Sequence, residues 1–319
     1  MCYSVMSETL LNSDGPGVGA EPLSTQVFVG GLPRSGTTLL AQLLSQSPVV
    51  TGLHNTGVPM DEGQHLQDVY LPDDVLGAGK YGRTGANMRW AYHPGAHLTE
   101  ADAREVTNAG GRMLKAWCPY LTDRTRPVLL EKSPSNVVRC RFLQASFGDA
   151  RFAIITRHPV VQALAVMKWG NMATRFGFGL EKVVDHWLTA MDYFTEDYPH
   201  LKVVFVTSYE ELMADPRSVL ANMTETLGMP AYGYKTEPVH EASGAYIRYW
   251  GAFRRGRLIS LSVLRERRHF SRLQQELERL VAILVGRSTA KRIDKLYGER
   301  MHQYGYELGD LTHCSRVWG

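Results

Sequence analysis

Four polar clusters in this chain combine residue types suited to handling anions. The first is Gly31-Leu32-Pro33-Arg34-Ser35-Gly36-Thr37-Thr38. It follows the short apolar run Gln26-Val27-Phe28-Val29-Gly30 and leads into Thr38-Leu39-Leu40-Ala41-Gln42-Leu43-Leu44, whose apolar spacing is helical. A strand that hands over to a helix through a tight glycine loop aims backbone N–H groups and the positive end of the helix dipole at one point, which suits an anion. Gly31, Gly36 and Thr38 stand where the triphosphate-binding loop pattern wants them, but Thr37 replaces the lysine that would reach the β- and γ-phosphates, and the positive charge sits inside the loop at Arg34. A triphosphate with Mg²⁺ needs that lysine and a carboxylate that orients the metal. This loop therefore suits a less charged ligand bound without metal.

The other clusters are Glu131-Lys132-Ser133-Pro134, Arg157-His158-Pro159 and Tyr209-Glu210-Glu211-Leu212-Met213-Ala214-Asp215-Pro216. Arg157 can grip a phosphate through two parallel hydrogen bonds at a helix start. Asp215-Pro216 reads equally as an ordinary helix entry.

These clusters need elements to hold them. The pattern predicts strands over Gln26–Gly30, Val128–Leu130, Arg151–Thr156 and Lys202–Thr207. Helices are expected from about Val137 to Phe147, from Pro159 through about Lys168, from about Leu180 to Tyr198 and around Glu210 to Leu227. Strands alternating with helices imply an α/β domain around a parallel sheet, with ligands at the C-terminal ends of the strands, where the polar turns fall. Residues 1–25 read as a flexible leader and residues 26–319 as a single domain. Within it, the irregular stretch 53–94 is too long for a passive connection and is expected to be an acceptor-binding lid. Residues 248–319 form a basic helical extension, in which Leu273, Leu277, Leu280 and Leu284 mark an amphipathic helix.

Pro33-Arg34-Ser35-Gly36-Thr37-Thr38-Leu39 resembles the 5′-phosphosulfate loop of sulfotransferases, most nearly the Golgi and tyrosylprotein type. Arg157-His158-Pro159 resembles the family's 3′-phosphate motif, and Tyr209-Glu210-Glu211 its Tyr-Glu-Asp segment. The order along roughly residues 26–230 is the family's. The resemblance implies a P-loop-like three-layer α/β/α fold with a helical C-terminal extension. It also implies 3′-phosphoadenosine 5′-phosphosulfate as co-substrate, 3′-phosphoadenosine 5′-phosphate as product, and no metal. By the same resemblance Arg34, Ser35, Gly36, Thr37 and Thr38 grip the 5′-phosphate and sulfate, Arg157 the 3′-phosphate, and Tyr209 touches the adenine. Phe253-Arg254-Arg255-Gly256 resembles the Arg-Lys-Gly clamp of cytosolic members, which places Arg255 on the 3′-phosphate, although the clamp's downstream partners are absent and a solvated basic turn explains it as well. One departure stands out: the serine that the family carries eight residues after the arginine is Ala165 here, with Gln162 as the polar neighbour.

In-line sulfuryl transfer asks the protein for positioning, charge stabilisation and a base. The resemblance sets Lys132, 25 residues before Arg157, against the leaving bridge oxygen, with Arg34 supplying further charge. The base is open among His54, Glu62, His65 and Glu131; the position two after Lys132, a histidine in cytosolic members, is Pro134. Glu62 and His65 are three apart and share a face if helical. His93 and His97 have the spacing of a metal pair but no carboxylate partner in the sequence.

The formal charge is +3, too small to suggest nucleic acid, but residues 248–300 hold 14 Lys plus Arg against 5 Asp plus Glu, an asymmetry that can mark an anion-binding face. Four scattered cysteines predict neither disulfide nor structural zinc. The acidic, glycine-bearing start is unlike a signal peptide, and the best apolar run, Leu280–Val285, is far short of a membrane span, so a soluble cytoplasmic enzyme is expected. The expected acceptor is a small-molecule, glycan or lipid hydroxyl. Two other readings compete: a P-loop kinase or phosphotransferase, disfavoured by Thr37, and a non-catalytic nucleotide-binding module, weakened by the lack of aromatic stacking platforms.

Overall fold

The computed structural model describes residues 23–78, 85–168, 172–237, 239, 241–260, 272–315 and 317–318, with the side chains of 172–178 and 274 outside the description. Residues 1–22 of the expected leader, 79–84 of the expected lid and 261–271 of the expected extension lie outside the described residues.

In chain order the elements are β1 (Thr25–Gly30), α1 (Thr37–Leu44), β2 (Val50–Gly52), α2 (Asp73–Leu76), α3 (Glu100–Glu105), α4 (Ala109–Trp117), β3 (Val128–Lys132), α5 (Cys140–Ser146), β4 (Ala150–Thr156), α6 (Pro159–Met167), α7 (Met172–Asp197), β5 (Val204–Ser208), α8 (Tyr209–Ala214), α9 (Pro216–Thr226), α10 (Gly244–Phe253) and α11 (Arg272–Gln303), joined by short 3₁₀ turns. The five strands form one sheet in the order β2-β3-β1-β4-β5. All pairings are parallel, with Val29 opposite Lys132, Gly30 opposite Ile154 and Thr156 opposite Ser208. Buried on both faces, the strands split their side chains between two apolar layers. Phe28, Leu129, Phe152 and Ile154 pack with Trp117, Phe147 and Trp187, while Val27, Val29, Leu130 and Ile155 pack with Leu40, Leu212 and Leu220. This is the expected α/β/α architecture with a helical C-terminal segment.

Local details depart from the sequence reading. β2 was not expected, since three residues are too few to show a period. The helix expected from Val137 to Phe147 is instead a 3₁₀ turn over Pro134–Val138 followed by α5. The break falls at Arg139, which is buried so that its guanidinium can donate to Ser135 Oγ and to the Leu71 carbonyl and lie 4.3 Å over the Tyr70 ring. On α11 the predicted leucine stripe is not the packed face. Leu273, Leu277, Leu280 and Leu284 are exposed, while Ala282, Gly286, Thr289 and Ile293 face inward. A Cβ on Gly286 would lie 2.2 Å from the Phe253 carbonyl oxygen, so close packing on α10 selects the side with the small residues.

Candidate active site

Because every strand runs the same way, the ends of β1, β3, β4 and β5 bring all four polar clusters to one edge of the sheet. The loop after β1 is tightly folded. Gly31 (φ 151°) and Gly36 (φ 106°) take backbone angles that a side chain would strain, and Arg34 holds a left-handed φ of 73°. A Cβ on Gly31 would meet the Ile155 carbonyl at 2.2 Å. Arg34 is exposed, Thr38 and Gly36 are half-buried, and Ser35 and Thr37 are buried. Ser35 Oγ is fully enclosed yet has no hydrogen-bond partner among the described residues. A buried hydroxyl in that state is an unmet demand for a ligand or water.

Arg157 ties this loop to two other elements. Its guanidinium donates to the Arg34 carbonyl (3.0 Å) and to Ser243 Oγ (2.6 Å), and it lies 4.0 Å over the Tyr209 ring. The register explains the stack, since Arg157 and Tyr209 follow the paired residues Thr156 and Ser208. Arg157 Nε is buried without a partner. Gln162, from α6, donates to the Pro33 carbonyl at 2.8 Å. Tyr209 packs against Gly36, and its hydroxyl accepts the Ala242 N–H. Glu210 braces the neighbouring turn by accepting the His158 N–H. Ser243, at the start of α10, was missed by sequence reasoning. The available signal was its place before Gly244 at the head of a helical run, but nothing local shows that it meets Arg157, 86 residues away.

The second half of the site is built around Lys132. Its Nζ lies 2.7 Å from Glu62 Oε1 and 3.3 Å from the Met60 carbonyl. Glu62 also accepts from Gln64 Nε2 at 2.8 Å, and His65 Nε2 lies 3.7 Å from its second oxygen. On its other side, His65 faces Asp74 at 3.6 Å. Burial pushes the Glu62 pKa up, but the contacts with His65 and Lys132 outweigh it and leave the carboxyl below its ordinary value. For His65 burial acts downward, while Glu62, Asp73 and Asp74 together raise it above the usual imidazole value. Asp73 is pushed up to about 6 by burial and by the charge of Glu62. Among the described residues, His65, Asp73 and Asp74 are the one group of three or more whose ligand-type atoms lie within 4.8 Å of one another.

Beneath Glu62, the buried Glu131 accepts from the Gly63 N–H, Ser133 Oγ and Asn136 Nδ2 at 2.6–2.9 Å. Burial raises its pKa. Glu131 therefore anchors the 53–94 stretch to β3 rather than facing open space. A Cβ on Gly63 would sit 2.8 Å from the Glu131 side chain and the Trp117 ring nitrogen, so glycine is what permits this approach.

Three sequence candidates stand elsewhere. His54 is exposed just beyond β2. Arg255 lies past the C-terminus of α10, where its carbonyl accepts Arg287 Nε. The ten residues of α10, about 15 Å of helix, lie between it and Ser243, so the helix that meets Arg157 at its start carries Arg255 away from the loop. The reading of His97 is also corrected: its Nε2 is 2.9 Å from the buried Asp197, a partner 100 residues away in the chain.

The sequence model described as "Sulfotransferase family" matches residues 26–233, about two thirds of the chain, including the loop, Lys132, Arg157 and Tyr209. The nodulation protein NoeE of Sinorhizobium fredii (strain NBRC 101917 / NGR234) is 28% identical over 158 residues, 47% of this chain and 33% of that protein. The match thus spans about a third of that relative's length. Among solved structures, a sulfotransferase from Alicyclobacillus acidocaldarius aligns over 74% of this chain and 92% of its own at 15% identity and TM-score 0.42. One from Mycobacterium tuberculosis H37Rv aligns over 71% and 76% at 15% identity and TM-score 0.40. Because the family's sequence model matches about two thirds of the chain, the chain belongs to the sulfotransferase family.

Proposed function

We propose that the protein transfers the sulfuryl group of 3′-phosphoadenosine 5′-phosphosulfate to a hydroxyl of a small-molecule, glycan or lipid acceptor. The observation that carries this reading is the single contact set in which Arg157 joins the β1–α1 loop, Ser243 and Tyr209. It gathers the enclosed Ser35 hydroxyl, the buried Arg157 guanidinium and the Tyr209 ring at one edge of the sheet. The enclosed Ser35 hydroxyl and the unpartnered Arg157 Nε are the donors that such an anionic ligand would satisfy. Arg34, Ser35, Gly36, Thr37 and Thr38 would hold the 5′-phosphosulfate, Arg157 with Ser243 the 3′-phosphate, and Tyr209 the adenine. When bound, the donor supplies an electrophilic sulfuryl group and a phosphate leaving group.

The remaining chemistry falls to Lys132 and Glu62. Gly31 donates to the Pro134 carbonyl, which fixes β3 and its Lys132 beside the loop, so Lys132 supplies positive charge to the leaving oxygen. Glu62, kept ionised at neutral pH by Lys132 and His65, takes the proton of the acceptor hydroxyl. His65 and Gln64 orient it. Of the sequence candidates for the base, Glu62 alone accepts a hydrogen bond from Lys132 Nζ; His54 is exposed and Glu131 is saturated.

The test pairs binding with transfer. The bisphosphate product, at about 100 times its Kd, should stabilise the protein by about 2.7 kcal/mol, visible as a raised Tm, while ATP with Mg²⁺ should not. Labelled sulfate should pass from the donor to members of an acceptor panel, and Lys132→Ala should lower kcat by about 10²–10³-fold. Stabilisation by ATP with Mg²⁺ and not by the bisphosphate would instead identify a phosphotransferase.

A further inference from the structure

α11 carries two stripes. Ala282, Gly286, Thr289 and Ile293 are packed inward, and Leu273, Leu277, Leu280 and Leu284 repeat the same 4-3-4 spacing nine residues earlier. Nine residues are about two and a half turns, so the leucines point directly away from the protein. Leu284 is 78% and Leu280 52% exposed. More than half of the exposed large apolar side chains among the described residues lie on this helix.

The segment after α10 widens the patch. Gly256 sits against the Ile283 carbonyl and Arg287, and Ser260 Oγ donates to Glu278 at 2.5 Å. Leu258, 64% exposed, lies in the chain between these two contacts. Around this apolar strip stand Arg254, Arg255, Arg257, Arg287 and Lys291, all exposed. None of these five is in an ion pair with a carboxylate among the described residues.

We propose that this face docks the protein on an anionic lipid surface, with the leucines entering the headgroup boundary and the arginines and lysine meeting lipid phosphates. The two halves of the pattern select this partner. Nucleic acid would use the cations but leave the leucines in water, and a second copy of the chain would cover the leucines but press one cationic rim against another. An exposed apolar stripe beside five exposed cations that have no carboxylate partner among the described residues has the design of an interfacial helix. Among the described residues no helix is long and apolar enough to cross a membrane.

The test is flotation of the full chain with vesicles of phosphatidylcholine alone or with about 30% phosphatidylglycerol. The protein should float with the anionic vesicles, remain behind with the neutral ones, and be released by about 0.5 M salt. Leu280→Asp/Leu284→Asp and, separately, Arg254→Gln/Arg257→Gln should each cut the bound fraction at least about fivefold. Both variants should keep the Tm rise given by 3′-phosphoadenosine 5′-phosphate, which shows that they fold. Absence of flotation, equal flotation with both vesicle types, or undiminished flotation of either variant would overturn the proposal. So would light scattering showing a dimer that the leucine variant dissociates.

Discussion

At the residue scale, the proposed reaction divides the site into groups that hold charge and groups that move a proton, and substitutions should separate them. Glu62→Gln keeps the shape and the Gln64 neighbour but removes the proton acceptor, so kcat should fall about 10²–10⁴-fold while the Tm rise given by 3′-phosphoadenosine 5′-phosphate persists. Ser243→Ala removes the hydroxyl that Arg157 meets at 2.6 Å. It should weaken bisphosphate binding about tenfold, the equivalent of one modest hydrogen bond, with kcat at saturating donor little changed. Isothermal titration beside steady-state kinetics distinguishes the two outcomes; equal loss of binding in both variants would remove the division of roles. The candidate residues were legible in sequence because glycine, arginine and lysine at strand ends are chemically conspicuous. The selection among His54, Glu62, His65 and Glu131 was not legible. It depends on which carboxylate the 53–94 stretch folds back onto Lys132, a contact across 70 residues.

At the element scale, the turn Arg157-His158-Pro159 is held by a neutral imidazole. His158 is fully buried, its Nδ1 accepting the Val160 N–H at the head of α6 and its Nε2 donating to the Glu307 carbonyl. Burial drives its pKa down to about 4. The folded-state pKa is depressed, so the stabilisation is complete above the ordinary value near 6.5 and is lost as pH falls toward about 4. The span corresponds to about 3 kcal/mol. Urea midpoints measured at pH 7.5, 6 and 5 should fall accordingly, and His158→Asn should lower stability at neutral pH while flattening that slope. A slope unchanged by the substitution would place the acid sensitivity elsewhere. β1, β3, β4 and β5 and the helices after β1, β3, β4 and β5 were readable because each runs long enough to show its period, whereas α2, α3 and α4 drew no reading. β2 and the break at Arg139 were not readable, the first being too short and the second being imposed by a buried guanidinium that seeks Ser135 and Leu71.

At the scale of the whole molecule, the C-terminal residues close the active edge from behind. Tyr306 is buried with its hydroxyl 2.7 Å from Thr156 Oγ1, the Glu307 carbonyl meets His158, and Trp318 packs on Phe194 and Tyr304. Ending the chain at Gln303 removes two buried aromatic rings, Tyr304 and Tyr306, each worth about 3–5 kcal/mol, and the half-buried Trp318. The truncated protein should be largely unfolded by circular dichroism at 25 °C and should not bind the bisphosphate. A folded, binding-competent product would show that this segment is dispensable. The sequence by itself determined the alternating α/β plan, the tight glycine loop after β1 and its lack of the triphosphate lysine, because hydrophobic period and local backbone chemistry are properties of neighbouring residues. Tertiary structure alone decided that Ser243 meets Arg157, that Glu62 meets Lys132, and that Arg255 is carried away from the loop. It also turned the leucines of α11 outward, since the close approach of α10 at Gly286 admits only the small-residue face, and that steric choice is made between helices rather than within one.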